Sequence, residues 1–226
     1  MIKTVEPYTP IQYVMGKSDF FGLSFLVNEN VLIPRPETEV LVKEVIDTVM
    51  GDERMARDAR VLDLCTGSGN IAISLTKALT HCKIIASDIS EAALNVARQN
   101  AVRHGVSDKI SFLKSDLFGA IDGLFDIIVS NPPYIARREF ASLQKEVLKE
   151  PSIALDGGED GLDFYRRIMA TAHLYLRRSG AMAVEIGYGQ GRSIAGIIGR
   201  TGALRVEKTI RDHNGIERVL LVRWIN

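Results

Sequence analysis

An amide, two prolines and an aromatic ring follow one another in Ser130–Tyr134, directly after the apolar run Phe125–Val129. The run is short and rich in β-branched residues, which predicts a buried strand. Two consecutive prolines then force the backbone out of the sheet, and because proline has no N–H they offer only carbonyl oxygens. Asn131 adds an amide and Tyr134 a flat ring, so the turn predicts a slot that accepts hydrogens from a planar NH2 group. The exocyclic amine of a nucleobase and the side-chain amide of glutamine both fit such a slot, and a plain strand-ending turn is the alternative.

A glycine-containing segment, Asp63–Gly69 (Asp-Leu-Cys-Thr-Gly-Ser-Gly), follows another predicted strand. Its glycines let the backbone approach a ligand closely, and the helix after them presents free N–H groups. Asp88 ends the next predicted strand, where a carboxylate accepts both hydroxyls of a ribose. The segment and Asp88 together predict a nucleoside-binding site, with a tight turn that holds no ligand as the alternative.

Two classes of cofactor compete for this loop. Gly67, Gly69 and Ala72 satisfy a relaxed dinucleotide pattern, which suits a nicotinamide oxidoreductase. Asp63, four positions before the first glycine, instead resembles the signature of methyltransferases that use S-adenosylmethionine. A dehydrogenase has no use for an Asn-Pro-Pro-Tyr slot, whereas an amide or amine methyltransferase needs one. The sequence therefore favours a methyltransferase, and a catalytically silent nucleotide-binding module is the non-enzyme alternative.

Other polar residues carry weaker signals. Asp116 follows the third strand of this region and offers an acceptor to an adenine amino group while Leu117 packs on the ring, but a loop or helix-capping role is equally open. Cys65 is interpreted as a small packing residue. We expect no metal site, because the four histidines lack the spacing of metal ligands.

The elements that position these residues alternate along the chain. Strands are predicted over residues 61–65, 84–87, 110–113, 125–129, 181–186, 204–209 and 218–224, and helices over 36–50, 70–79, 90–104, 162–176 and 191–199. This alternation predicts an α/β fold with a doubly wound, mostly parallel, seven-stranded sheet and helices on both faces.

The N-terminal part predicts a different organisation. Residues 1–18 contain two prolines and little periodicity, which indicates a linker or arm. Alternation over Phe21–Val27, turn residues at 28–30 and a return strand over 31–33 predict a β-hairpin within 19–35. Residues 36–226 are expected to form the catalytic domain, with a surface connection over 52–60.

Composition limits the classes of function. Lys plus Arg and Asp plus Glu both number 28, and this zero net charge argues against a dedicated nucleic-acid binder. We expect no membrane association, because no apolar stretch approaches the length of a spanning helix. The two cysteines indicate no disulfide framework and the N-terminus lacks a signal peptide, so a cytoplasmic location is predicted.

Four segments occur in an informative order: Phe21–Phe25, Leu32–Glu39 (Leu-Ile-Pro-Arg-Pro-Glu-Thr-Glu), Asn131–Tyr134 and Leu155–Gly161 (Leu-Asp-Gly-Gly-Glu-Asp-Gly). With them the chain closely resembles the release factor glutamine methyltransferases, from about Pro10 onward. Adenine-amino DNA methyltransferases and a ribosomal-protein glutamine methyltransferase share the Asn-Pro-Pro-Tyr motif alone, whereas the second and fourth segments favour release factors.

The resemblance implies a Rossmann-like class I methyltransferase that modifies the glutamine in the Gly-Gly-Gln loop of peptide chain release factors, with S-adenosylmethionine as methyl donor. It implies catalytic roles for Asn131, Pro132 and Tyr134, and glutamine binding by these residues and Pro133. Cofactor contacts are implied for Cys65, Thr66, Gly67, Ser68, Gly69, Asp88, Asp116, Leu117 and Asn131. Some family members carry an aromatic residue at the position of Leu117. The family usually has a small N-terminal helical domain, and we expect this chain to begin at the linker, without that domain.

Overall fold

This computed structural model describes residues 6–225 of the chain. These residues contain nine strands and seven α-helices. The strands are β1 (Lys17–Phe20), β2 (Leu23–Leu26), β3 (Arg60–Leu64), β4 (Lys83–Asp88), β5 (Ile110–Lys114), β6 (Phe125–Ser130), β7 (Leu176–Glu185), β8 (Leu204–Arg211) and β9 (Glu217–Trp224). The helices are α1 (Ile11–Met15), α2 (Thr38–Met50), α3 (Glu53–Asp58), α4 (Asn70–Ala78), α5 (Glu91–Arg103), α6 (Asp163–Thr171) and α7 (Gly191–Arg200).

Strands β3 to β9 form one seven-stranded sheet in the order β5-β4-β3-β6-β7-β9-β8. The first five strands of this order are parallel, and β9 runs antiparallel to both of its neighbours. The predicted seven-stranded, mostly parallel sheet is therefore confirmed. The order of the chain reverses between β3 and β6, and such a reversal opens a crevice at the carboxyl ends of the strands.

Burial follows from the central position of β6, whose six residues are all buried. Val61 and Val129 contribute to a core on the face covered by α2 and α4, while Leu62 and Ile128 contribute to a core on the face covered by α6 and α7. Both faces of the sheet are thus covered, as its continuous apolar strands require. A strand held on both faces gives the turn after it a rigid base.

The N-terminal hairpin is present, but its strands differ from the predicted ones. Strands β1 and β2 pair with Phe20 opposite Leu23, so that the turn lies at Phe21–Gly22, inside the predicted first strand. Both turn residues have positive φ, 49° and 73°, and Gly22 adopts such a value without strain. The prediction of a second strand over 31–33 is wrong, because Ile33 N donates to the Glu150 carboxylate at 2.9 Å and 31–33 pairs with no strand.

Three further elements differ from the sequence prediction. Helix α1 lies in the predicted arm, and α3 interrupts the predicted surface connection because Asp52 caps it and Met55 is buried. The predicted long helix ends at Thr171, and Leu176 instead begins β7. Residues 1–5 and 226 lie outside the described residues, and the predicted division into arm, hairpin and catalytic domain stays a prediction. Over residues 6–225, none of the helices combines the length and the apolar character needed to cross a membrane.

Candidate active site

A cleft opens at the carboxyl ends of β3, β4 and β6, where the order of the sheet reverses. It measures about 1050 Å³ including its open mouth. The predicted site residues that line it are Cys65, Thr66, Gly67, Ser68, Asp88, Asp116, Leu117, Asn131 and Pro133. Gly69, Pro132 and Tyr134 are predicted site residues that do not line it.

Backbone hydrogen bonds, within the loop and to β4, fix the loop after β3. Thr66 N donates to the Ser87 carbonyl at 2.9 Å, and Gly69 N donates to the Thr66 carbonyl at 2.9 Å. Gly69 has φ +80°, and a Cβ there would lie 3.1 Å from the Cβ of Ala97. Gly69 is therefore needed for the close packing of the loop on α5. Cys65 has a positive φ of 60°, and burial raises the pKa of its thiol, so it is a poor candidate for a nucleophile.

Asp63 supports this loop from inside the protein. It is fully buried, and its Oδ2 accepts from the Thr66 hydroxyl at 2.6 Å. Its Oδ1 has no hydrogen-bond partner within residues 6–225. Burial raises the pKa of the carboxyl to about 7. The acid of the methyltransferase signature thus holds the loop and does not line the cleft.

Asp88 lies between the loop and the start of α5. Its two carboxylate oxygens accept from Gly67 N and Ser90 N, both at 2.9 Å. Burial raises the pKa of Asp88, and these backbone donors oppose the shift. An ionised carboxylate has about four acceptor sites, so two remain for hydroxyl groups in the cleft. This arrangement fits the predicted role in ribose binding.

Asp116 and Leu117 form the wall beyond Asp88. Asp116 Oδ2 accepts from Arg167 Nη2 at 2.7 Å, which leaves its other oxygen available to the cleft. Leu117 has a positive φ of 49°, and its carbonyl accepts from the Ser115 hydroxyl at 2.7 Å. The apolar Leu117 beside an acceptor suits a purine ring with an amino group. The sequence analysis assigned no role to Arg167, which reaches the cleft from α6.

Asn131 is oriented by Thr38, the first residue of α2. Asn131 Nδ2 donates to Thr38 Oγ1 at 3.2 Å. Because the oxygen and nitrogen of an amide diverge, Oδ1 is directed away from Thr38. Thr38 is 1% exposed and lines the cleft together with Asn131 and Pro133. The structure thereby connects the Pro-Arg-Pro-Glu-Thr-Glu segment with the Asn-Pro-Pro-Tyr turn.

The glycine-rich segment Leu155–Gly161 packs against the backbone of Tyr134. Ile135 N donates to the Leu155 carbonyl at 3.0 Å, and Gly157 N donates back to the Ile135 carbonyl at 2.9 Å. A Cβ on Gly157 would lie 2.8 Å from two backbone atoms of Tyr134, which is too close for any side chain. This segment therefore fixes the position of the turn from behind.

Tyr134 is further held by Gln190, whose Nε2 donates to the Tyr134 carbonyl at 2.9 Å. Gln190 Oε1 in turn accepts from Gly187 N at 3.0 Å. Burial raises the pKa of Tyr134 above its ordinary value, so its hydroxyl stays protonated. The sequence analysis did not identify Gln190, which reaches the turn from the loop after β7.

Arg35 lines the cleft and forms an ion pair with Glu150. Glu150 is 5% exposed and also accepts from Ile33 N at 2.9 Å. The pair joins the chain before α2 to the segment that includes Ile153 and Ala154, which line the cleft as well. Arg35 thus holds one rim of the cleft together.

Glu185, the last residue of β7, is a buried acid that the sequence analysis missed. It is 2% exposed, and its Oε2 has no hydrogen-bond partner among the described residues. Burial raises the pKa of Glu185 to about 7, while hydrogen bonds from Thr38 and Asn131 and the charge of Arg218 lower it. The sequence feature that could have identified Glu185 is an acidic residue within the apolar run 181–186. Within residues 6–225, no three His, Cys, Asp or Glu side chains are grouped so as to hold a metal ion.

Comparisons with known proteins show what this chain is similar to. The family model described as "Methyltransferase small domain" matches residues 38–162. The release factor glutamine methyltransferase of Geobacter sulfurreducens is 44% identical over 213 residues, which cover 93% of this chain and 72% of that protein. The one of Gloeobacter violaceus is 42% identical over 221 residues, covering 97% of this chain and 76% of that protein.

This chain belongs to the release factor glutamine methyltransferase family. The prediction of a methyltransferase in place of a nicotinamide oxidoreductase is thereby confirmed. Among solved structures, the ribosomal protein L11 methylase of Lactobacillus delbrueckii subsp. bulgaricus is similar in fold, with a TM-score of 0.61 and 22% identity. That match covers 85% of this chain and 81% of the other.

Proposed function

We propose that this enzyme transfers a methyl group from S-adenosylmethionine to the side-chain amide nitrogen of glutamine in the Gly-Gly-Gln loop of peptide chain release factors. The relatives named above are named release factor glutamine methyltransferases, which supports a release factor glutamine as the methylated residue. The observation that carries the proposal is the orientation of Asn131, whose nitrogen donates to Thr38 and whose oxygen is directed away from it. An acceptor next to proline carbonyls suits an amide NH2 group.

The residues of the cleft fit the cofactor by their donor chemistry. Asp88 offers acceptors for ribose hydroxyls, and Asp116 with Leu117 suits an adenine ring. Bound there, S-adenosylmethionine would supply a methyl group on a positively charged sulfur. Cys65, Thr66, Gly67 and Ser68 line the remaining wall, where loop backbone approaches the ligand.

The mechanism is one of positioning. An amide nitrogen is a poor nucleophile because its lone pair is delocalised into the carbonyl, and it gains positive charge as it is methylated. Asn131 Oδ1 and the Pro132 carbonyl each accept one N–H, which opposes that charge and fixes the direction of the lone pair. Stacking of Tyr134 on the amide plane stays a prediction, because Tyr134 does not line the cleft in this structure. The methylated nitrogen is acidic, so its proton leaves without a strong base.

A cytoplasmic setting is part of the proposal and is supported by the free thiols. Cys65 and Cys82 are both unpaired within the described residues. Reduced cysteines of this kind are usual in the cytoplasm, and this supports a cytoplasmic location beside the translation machinery.

The test is methyl transfer from a labelled donor to purified release factors, followed by mass mapping of the modified residue. Ribosomal proteins and duplex DNA are treated in parallel. We expect the label on the glutamine of the Gly-Gly-Gln loop and none in DNA, to which a protein of zero net charge should bind weakly and only at low salt. Methyladenine in DNA, or a labelled ribosomal protein, beside untouched release factor would overturn the proposal.

A further inference from the structure

The two ends of an asparagine amide differ in chemistry but hardly in shape. A rotation of about 180° exchanges the acceptor oxygen with the donor nitrogen at almost no steric cost. Only one orientation of Asn131 presents an acceptor to the substrate amide. The other would present two N–H groups to a nitrogen that itself carries hydrogens. The orientation must therefore be specified by the surrounding protein.

Thr38 specifies it from one side. Its hydroxyl oxygen accepts from Asn131 Nδ2 at 3.2 Å, and a hydroxyl that accepts in this way still has its own hydrogen to donate. Thr38 is 1% exposed, so water does not satisfy that hydrogen. It needs an acceptor inside the protein.

Glu185 provides the acceptor. Glu185 is 2% exposed, and hydrogen bonds from Thr38 and Asn131 are among the causes that lower the pKa of its carboxyl. Its backbone is fixed as well, because the Tyr165 hydroxyl donates to the Glu185 carbonyl at 2.9 Å. The ionised form of this carboxyl only accepts, and in that form it favours the orientation in which Asn131 Nδ2, rather than Oδ1, faces Thr38 and Glu185. A flipped Asn131 would turn its oxygen toward these acceptors, which is unfavourable in a buried site.

We propose that Thr38 and Glu185 are positioning residues that lock the amide of Asn131 with its oxygen toward the substrate. This inference rests on the proposed function, since it assigns the locked oxygen to the substrate amide. It also explains why three segments far apart in sequence meet at the slot. Thr38 comes from the start of α2, Asn131 from the end of β6 and Glu185 from the end of β7.

Thr38→Val tests the proposal, because valine has the shape of threonine without the hydroxyl. Turnover on release factor should fall by roughly 10- to 100-fold, the scale expected for a misplaced catalytic group. Affinity for S-adenosylmethionine should change less than turnover, because Asn131 is only one of the residues expected to contact the cofactor. Thr38→Ser is the matched control and should retain most of the turnover, because it keeps the hydroxyl.

Glu185→Gln is the second variant and decides the matter if the valine variant does not fold. Glutamine keeps the volume and one acceptor, so its turnover should fall below that of native enzyme and, where Thr38→Val folds, stay above that of Thr38→Val. Native turnover in Thr38→Val, or equal losses in Thr38→Val and Thr38→Ser, would overturn the role of the hydroxyl. Native turnover in Glu185→Gln would remove Glu185 from the proposal.

A second readout does not depend on the substrate. In NMR spectra, the side-chain NH2 protons of Asn131 should exchange slowly with water in native enzyme and in Thr38→Ser, and at least about ten-fold faster in Thr38→Val. If native enzyme leaves release factors unmodified, the proposed function fails. Exchange still reports then whether Thr38 holds the amide, and unchanged exchange in Thr38→Val would overturn this inference on its own.

Discussion

Asn131 is the residue on which turnover should depend most strongly. Asn131→Ala removes the acceptor aimed at the reacting nitrogen, so turnover should fall about 100- to 1,000-fold, the usual effect of deleting one preorganised polar group. Asn131→Asp keeps an acceptor and should retain more activity than alanine. It should not match native enzyme, because a carboxylate cannot donate to Thr38 and would lie beside the acid of Glu185.

Single-turnover rates at saturating cofactor measure this order, since saturation removes any effect of weaker cofactor binding. The expected order is native, then aspartate, then alanine. If alanine equals native enzyme under these conditions, Asn131 is only a turn residue and the slot mechanism is wrong.

Asp88 should matter for the cofactor and not for the chemical step. Asp88→Ala should weaken S-adenosylmethionine binding by roughly 1.5–3 kcal/mol, as expected for the loss of hydrogen bonds to a charged group. Part of this loss will come from the loop, because Asp88 also accepts from Gly67 N. Calorimetric titration measures the affinity, and Asp88→Asn is the matched control that keeps the shape and one acceptor. Unchanged affinity in the alanine variant would exclude Asp88 from the ribose site.

Sequence patterns identify residues whose role is determined by their neighbours along the chain. Most of the predicted residues at the ends of β3, β4 and β6 line one cleft because the carboxyl ends of parallel strands share an edge of the sheet. Thr38 and Glu185 have no such pattern. Thr38 meets Asn131 across 93 positions of chain, and only the folded sheet determines that contact.

Among the elements, the Leu155–Gly161 segment should be the least tolerant of added atoms. Gly157→Ala places a Cβ 2.8 Å from the backbone of Tyr134, so that the turn must move. Turnover should fall at least about ten-fold, the scale of small displacements at an active site. The free energy of unfolding should drop by about 1–3 kcal/mol, as for other overpacked sites.

Gly199→Ala in α7 is the control, because a Cβ there meets no atom within 4 Å. It should leave turnover unchanged and stabilise the helix by up to about 1 kcal/mol. Kinetics and urea unfolding of the two variants decide the prediction. Native turnover in Gly157→Ala would mean that the segment does not position the turn.

The elements of the sheet follow from the sequence more closely than the hairpin does. Buried strands such as β6 are short apolar runs, and this local pattern alone is enough to predict a strand. The hairpin alternates with period two on both sides of its turn, so alternation cannot locate the turn at Phe21–Gly22. Gly22 was the local signal for the turn. The buried contact of Ile33 with Glu150 joins residues far apart in sequence, so local patterns cannot predict it.

At the scale of the whole molecule, two buried acids make stability depend on pH. Burial raises the pKa of Asp63 to about 7 and that of Glu185 to about 7. An acid with a raised pKa binds its proton more tightly in the folded state, so stability falls as the pH rises from about 4, the unfolded value, to about 7, and stays low above it. A shift of about three pKa units corresponds to at most about 4 kcal/mol for each acid, so the free energy of unfolding should decrease by several kcal/mol over this window.

Asp63→Asn should flatten this decrease, and urea unfolding at a series of pH values measures it. Asp122→Asn, which changes an exposed acid, is the control and should follow the native curve. Asp156, Asp160 and Asp212 have pKa values lowered mainly by hydrogen bonds, so their stabilisation is lost only below about pH 4. An unaltered slope in Asp63→Asn would contradict the prediction.

The contacts behind the Asn-Pro-Pro-Tyr turn limit how far its chemistry can be transplanted. Thr38, Gly157, Glu185 and Gln190 hold the turn from three separate stretches of chain. Two of them, Glu185 and Gln190, lie after residues 38–162, which the family model covers. Grafting the four residues of the motif onto the corresponding strand of another sheet would copy the acceptors without their supports. An engineer who wants amide methylation on a new scaffold must therefore transfer the end of β7 and the glycine segment as well.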